Sequence, residues 1–254
     1  MTERDPLHDV RAGDRWLITV AHPDDETFGC GSLIAYAAQG GADVTVLCAT
    51  RGEEGERTAG VPADADLGVI RTEELHAAAA ILGVRDVVLL DHRDSGFDGP
   101  MPAGAFCSVP VDDLAAELAV VIARVAPTVV VTLDASDGHR DHEHMRLATH
   151  AAVARSADGP PEVLAEVALR NSLMRRWIEE MAVAHPEIPY LEMDPAGFGT
   201  PDDRVTDVLH LRHLVELRER AMAAHRSQRP PTDGLSRELT LAFITDASLM
   251  RIPR

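Results

Sequence analysis

Four apolar runs, at residues 16–21, 43–49, 86–90 and 128–133, each stop abruptly at a polar loop, and a helical pattern follows every loop. No other feature limits the fold as strongly. The runs are rich in Val, Leu and Ile and do not alternate with polar residues, so both of their faces must be buried, as in parallel strands covered by helices. Strand, loop and helix repeated four times specify a parallel sheet with right-handed crossovers. The expected class is therefore α/β: a Rossmann-like, mostly parallel sheet flanked by helices on both faces. In such sheets ligands bind beyond the carboxyl ends of the strands. No Gly-x-Gly-x-x-Gly follows the first run, so the dinucleotide fingerprint is missing.

The second half reads less regularly. Residues 158–161 form a linker and 162–170 a strand or a helix. A helix follows at 172–184, then a Pro- and Gly-rich excursion at 185–204 that is expected to border the substrate cleft. A strand at 205–211, a helix at 212–225 and a last strand at 239–245 complete the reading. No composition break divides residues 1–254, so a single domain is expected.

Aromatic residues make up only 4%, which leaves the core to Ala, Val, Leu and Ile. The net charge of −18 argues against a nucleic-acid backbone or an anionic membrane as the main partner, and it suits a cation. The three cysteines, Cys30, Cys48 and Cys107, match neither a disulfide framework nor a zinc ribbon. Residues 1–15 are polar and no run is long enough to span a bilayer, so a cytoplasmic protein is expected. A homo-oligomer is compatible with all of this.

Two strand ends carry chemistry. The first run ends at His22, Pro23, Asp24 and Asp25; the fourth leads to His139, Asp141, His142 and His144. A lone His at a strand end is ordinarily a cap or a surface residue, and an Asp pair there ordinarily caps a helix. Two such loops in one chain favour a metal site. A catalytic zinc needs three protein ligands and an open position, and His22, Asp25 and His142 supply the set. Adjacent Asp side chains diverge, so Asp24 is free to take a proton from an attacking water. His139 lies one helical turn from His142 and is placed to meet an oxyanion. Asp141 is expected to hold a His139 ring nitrogen and favour the imidazolium. Zn2+ fits the donors, and Fe2+ or another divalent ion would also fit.

Ala21-His-Pro-Asp-Asp-Glu26 and His139-Arg-Asp-His142 resemble the two signatures of the LmbE/PIG-L family, which includes zinc-dependent N-acetylglucosaminyl deacetylases and mycothiol S-conjugate amidase. Supporting matches are the Gly-Glu-Glu-Gly-Glu stretch at 52–56, Arg71 with Glu74, Arg-Asp-Ser-Gly at 93–96, Phe-Gly-Thr-Pro-Asp-Asp at 198–203 and Ala-His-Arg-Ser-Gln at 224–228. The resemblance implies His22, Asp25 and His142 as zinc ligands, Asp24 as general base, and His139 as oxyanion stabiliser oriented by Asp141. It further implies Arg71 and Asp94 as contacts to sugar hydroxyls, and a small amino-sugar conjugate as the substrate. Arg140 stands where the family usually has Pro. Asp137-Gly138 occupies the stretch where the mycothiol enzyme has a Tyr. Three activities follow as expectations: removal of an N-acetyl group from an amino sugar, cleavage of a larger thiol-conjugate amide, or a non-catalytic sugar- or nucleotide-binding module.

Overall fold

The computed structural model describes residues 4–156, 159–192, 194 and 197–253. Residues 157–158, next to or within the expected linker, and 193 and 195–196 of the excursion lie outside the described residues. The chain runs β1 (Arg15–Val20), α1 (Asp25–Phe28), α2 (Gly31–Gln39), β2 (Asp43–Thr50), α3 (Leu67–Leu82), β3 (Asp86–His92), α4 (Val111–Val125), β4 (Val129–Leu133), α5 (Arg140–Ala154), β5 (Val163–Val167), α6 (Asn171–Ala184), β6 (Asp207–His210), α7 (Val215–Met222), α8 (Arg237–Thr245) and β7 (Asp246–Arg251).

One seven-stranded sheet has the order β3-β2-β1-β4-β5-β7-β6. The first five strands pair in parallel, as the solid apolar runs predict, and β7 lies antiparallel to both β5 and β6. Alternate residues of each strand face opposite sides. Trp16 and Ile18 of β1 join the core under α2, α3 and α7, whereas Leu17 joins the one under α4 and α5. Helices therefore cover both faces. A smaller cluster gathers Met174, Trp177 and Met181 of α6 with Phe198.

The expected last strand at 239–245 is instead most of helix α8, and the strand lies just beyond it as β7. A run of seven residues, five of them apolar, is too short for periodicity to separate strand from helix. The cap decides: the Ser236 hydroxyl accepts from the Leu239 N–H at 3.2 Å and starts a helix. β7 escaped notice because Asp-Ala-Ser-Leu-Met-Arg is only half apolar. Its Ala247 and Leu249 nevertheless face the core. The expected helix at 212–225 is a 3-10 turn, Arg212–Leu214, followed by α7.

Among the described residues, no helix is long and apolar enough to cross a membrane. The chain leaves β1 for β2 and β3 on one side, then returns to β4 on β1's other side. The crevice at that reversal is where open α/β sheets bind ligands, and the loops carrying His22 and His142 both open onto it.

Candidate metal and catalytic centre

His22, Asp25 and His142 meet at the β1–β4 crevice, each less than one tenth exposed. The Asp25 carboxylate lies between the two imidazoles: Oδ2 is 3.4 Å from His22 Nδ1, and Oδ1 is 3.2 Å from His142 Nε2. Asp25 is itself anchored, because Oδ2 accepts the His22 backbone N–H at 2.8 Å. Each imidazole carries a carboxylate on its far nitrogen. His142 Nδ1 is 2.7 Å from Asp137, and His22 Nε2 is 3.1 Å from Asp141 and 3.5 Å from Asp94. A carboxylate behind a metal-binding His fixes its ring orientation and raises its basicity.

A divalent ion fits these residues. Among the described residues His142 Nε2 is buried with no hydrogen-bond partner, a costly state for a ring nitrogen unless it binds something. His22 and His142 point into one space, their centroids 5.3 Å apart. Ring nitrogens of His22, His139 and His142 all lie within 4.8 Å of one another, so His139 borders the same space.

Asp24 turns away from Asp25, as adjacency predicts, and its Oδ2 pairs with Arg71 at 3.0 Å. Arg71 also donates to Pro23 O at 2.6 Å and Gly52 O at 2.8 Å. The guanidinium lies so close to Gly52 and Gly55 that a Cβ on either would sit 2.3 Å from it, which explains both glycines of the 52–56 stretch.

Residues 17–153, from β1 into α5, match the family model described as GlcNAc-PI de-N-acetylase. A relative from Thermobispora bispora, named 1D-myo-inositol 2-acetamido-2-deoxy-alpha-D-glucopyranoside deacetylase, is 37% identical over 241 residues, spanning 85% of this chain and 80% of its own. The chain belongs to the PIG-L family. Solved structures add the shared fold. N,N'-diacetylchitobiose deacetylase from Pyrococcus horikoshii superposes with TM-score 0.69 at 19% identity, over 98% of this chain and 86% of its own. The 4-carboxy-2-hydroxymuconate hydratase GalB from Pseudomonas putida gives 0.62 at 21%, over 95% and 97%. One fold thus carries two chemistries, and the activity has to be argued from the site.

In this PIG-L chain the expected pairing of Asp141 with His139 is not formed. The Asp141 carboxylate accepts from the Ser95 N–H at 3.0 Å, lies 2.9 Å from Cys107 Sγ and otherwise meets His22. Only the Asp141 backbone reaches His139, its N–H donating to Nδ1 at 3.2 Å. The expected imidazolium is not favoured either: burial, with His22 and His142 nearby, lowers the His139 pKa to about 3. For His142, burial opposes the charged ring, but Asp137 and Asp25 outweigh it and raise the pKa to about 10. His22 is likewise raised, by Asp141, Asp25 and Asp94 against its burial. The space between His22 and His142 thus attracts positive charge, and a metal ion competes with protons there. Burial pushes Asp24 up to about 6, although Arg71 pulls it back.

Arg71 and Asp94, expected at the sugar, are each 3% exposed. Asp94 accepts from the Gly96 and Glu54 N–H groups. His144 is structural, bonded to Val109 O at 2.8 Å and edge-on to Phe106. Sequence reading missed Asp137 as the partner of His142, and the Asp137-x-x-x-x-His142 spacing at a helix start was its only signal. It also missed an aromatic wall. Phe97 sits 5.5 Å from His139 and 4.8 Å from Tyr190, which brings the 185–204 excursion to the site. Arg140 holds this wall by donating to Phe97 O and Gly99 O at 3.2–3.3 Å.

Proposed function

We propose that this chain is a divalent-metal-dependent hydrolase that removes the acetyl group from the nitrogen of a small N-acetylglucosamine conjugate. One observation carries the reading: the Asp25 carboxylate lies between His22 Nδ1 and the orphaned His142 Nε2, each ring backed by a carboxylate, with Asp24 on the adjoining residue. The relatives named as deacetylases of an N-acetylglucosaminyl-inositol support the substrate class.

His22, Asp25 and His142 would hold the ion, Zn2+ or another divalent metal. Bound there, it supplies Lewis acidity that polarises the amide carbonyl and acidifies water. Asp24 is the general base. A carboxyl raised to about 6 is largely ionised near neutral pH yet still accepts a proton efficiently. Once protonated, it returns that proton to the leaving amine. His139 is neutral, and its Nδ1 is occupied as acceptor. The hydrogen therefore resides on Nε2, which donates to the developing oxyanion. A sugar hydroxyl that engages Arg71 or Asp94 has to displace their present partners.

The test is acetate release from 1D-myo-inositol 2-acetamido-2-deoxy-α-D-glucopyranoside by protein loaded with Zn2+ or Fe2+, beside a panel of thiol S-conjugates. Turnover of the amino sugar, lost on chelation and restored by metal, is the expected result. Cleavage of the S-conjugates alone would move the substrate to the larger amides. A protein that binds no metal and releases no acetate would overturn the hydrolase reading.

A further inference from the structure

Asp24 has a backbone that Asp rarely adopts, with φ +120° and ψ −31°. A non-glycine residue stays in such a conformation only where its surroundings impose it. Arg71 holds the preceding carbonyl and the Asp24 side chain. The Asp24 N–H is held by a different group: it donates to Glu26 Oε2 at 2.9 Å.

Glu26 is fully buried, and its other oxygen is also occupied. Oε1 accepts from the Thr27 hydroxyl at 2.5 Å and from His225 Nε2 at 2.8 Å. Three donors therefore converge on one side chain. Only an ionised carboxylate accepts at both oxygens and donates nothing; a Gln would turn an NH2 toward one of the three. His225, 2% exposed, comes from 199 residues downstream, just past α7. Among the described residues its Nδ1 is buried without a hydrogen-bond partner, and its ring bonds to Glu26 and Thr27 through Nε2. The same helix grips the other end of α1: Arg218 donates to Phe28 O, and the Phe28 ring meets His225 edge-on at 5.5 Å. None of these contacts touches His22, Asp25 or His142.

We infer that Glu26 and His225 are positioning residues for Asp24: His225 fixes the Glu26 carboxylate, and Glu26 fixes the backbone twist that aims the Asp24 carboxylate. The inference rests on the proposed role of Asp24 as base. Relaxation of φ would swing the Asp24 Cβ, and the base with it, away from its present line. Misplacing a catalytic group costs turnover more than substrate binding.

The experiment uses the zinc-loaded protein with the N-acetylglucosaminyl-inositol named above. Glu26→Gln should lower kcat by about tenfold or more, with KM within about twofold and zinc stoichiometry kept. His225→Phe should lower kcat in the same sense, and the double variant should lose no more than Glu26→Gln alone. Placed on Asp24→Asn, Glu26→Gln should change the residual rate by less than about twofold, because the base it positions is already gone. A second readout needs no turnover: crystal structures of the metal-free variants should show Asp24 outside the positive-φ region. If Glu26→Gln keeps wild-type kcat, repeats its loss on Asp24→Asn, sheds its zinc, or leaves Asp24 at positive φ, the inference is overturned. If Glu26→Gln fails to fold, His225→Phe decides by the same readouts. If the wild type releases no acetate, the function reading fails, and the crystal structures alone judge the positioning.

Discussion

The loop after β1 and the loop after β4 both deliver an imidazole to the crevice, but they are held in opposite ways. The second is fixed largely from within. Ser136 is bonded to Asp134 through its N–H and its hydroxyl, the His139 N–H donates to Asp137, Asp137 takes His142, and the Asp141 N–H donates to His139. Every one of these partners lies within five residues. The first loop has local bonds too, at the His22 and Asp24 N–H groups, but leans on distant partners. Arg71, from α3, spans Pro23 and Asp24, and His225 anchors Glu26. The difference matches the tasks proposed above. A ligand imidazole on a helix N-terminus needs only a neighbouring carboxylate to orient it, whereas a base on a strained backbone needs a surrounding framework.

The two loops are expected to break differently. Asp24→Asn should reduce turnover by about 10³-fold while metal content stays near wild type; kcat beside metal analysis checks it. His22→Ala and His142→Ala should lose the metal as well. Equal metal loss in all three variants would erase the distinction between base and ligand. The carboxylates behind the imidazoles come next. Asp137→Asn and Asp141→Asn should each weaken metal affinity by about 10- to 100-fold, read by competition with a chelator. An unchanged affinity in Asp137→Asn would detach it from His142.

Arg140 sharpens the contrast, because it is one point, with Asp141, where the largely local loop reaches outward. Pro at this first helical position is well tolerated, so Arg140→Pro should leave the fold and the metal intact. It should raise KM by about two- to fivefold as the Phe97–Gly99 segment loosens, since the bonds from the charged guanidinium are largely solvent-exposed and contribute only about 1 kcal/mol. A change in kcat alone would point to His139 instead of the wall.

The smallest effect lies away from both loops. Asp207 is partly buried, which raises its pKa, but Arg251, His8 and Thr206 outweigh this and hold it below the usual carboxylate range. A folded-state pKa below the unfolded value of about 3.9 stabilises the protein at higher pH, and the gain is lost as pH falls toward the folded value. Asp207→Asn should therefore flatten the decline of Tm below about pH 4 and lower Tm modestly at neutral pH. Thermal melts across pH check it, with the metal loops as an internal control.

Much of this was legible in the chain itself. The four apolar runs fixed the parallel half of the sheet, since a strand without polar alternation has to be covered on both faces. Strand ends carrying His and Asp marked the crevice, although in the β4 loop the local Asp137–His142 pair went unread. Three things could not be read. A short apolar run did not reveal whether residues 239–245 are strand or helix until the Ser236 cap and the core contacts decided it. The partner of Asp141 was misassigned, because proximity in sequence favoured His139 while the crossing of β1 and β4 brought His22 to it. His225, Phe97 and Tyr190 meet the site only through packing. Sequence alone set which groups stand at the ends of which strands, because local patterning and short-range hydrogen bonds act within a few residues. Tertiary structure alone brought Asp141 and Asp94 behind His22, Arg71 to Pro23 and Asp24, and His225 to Glu26, because those contacts close over tens to hundreds of residues.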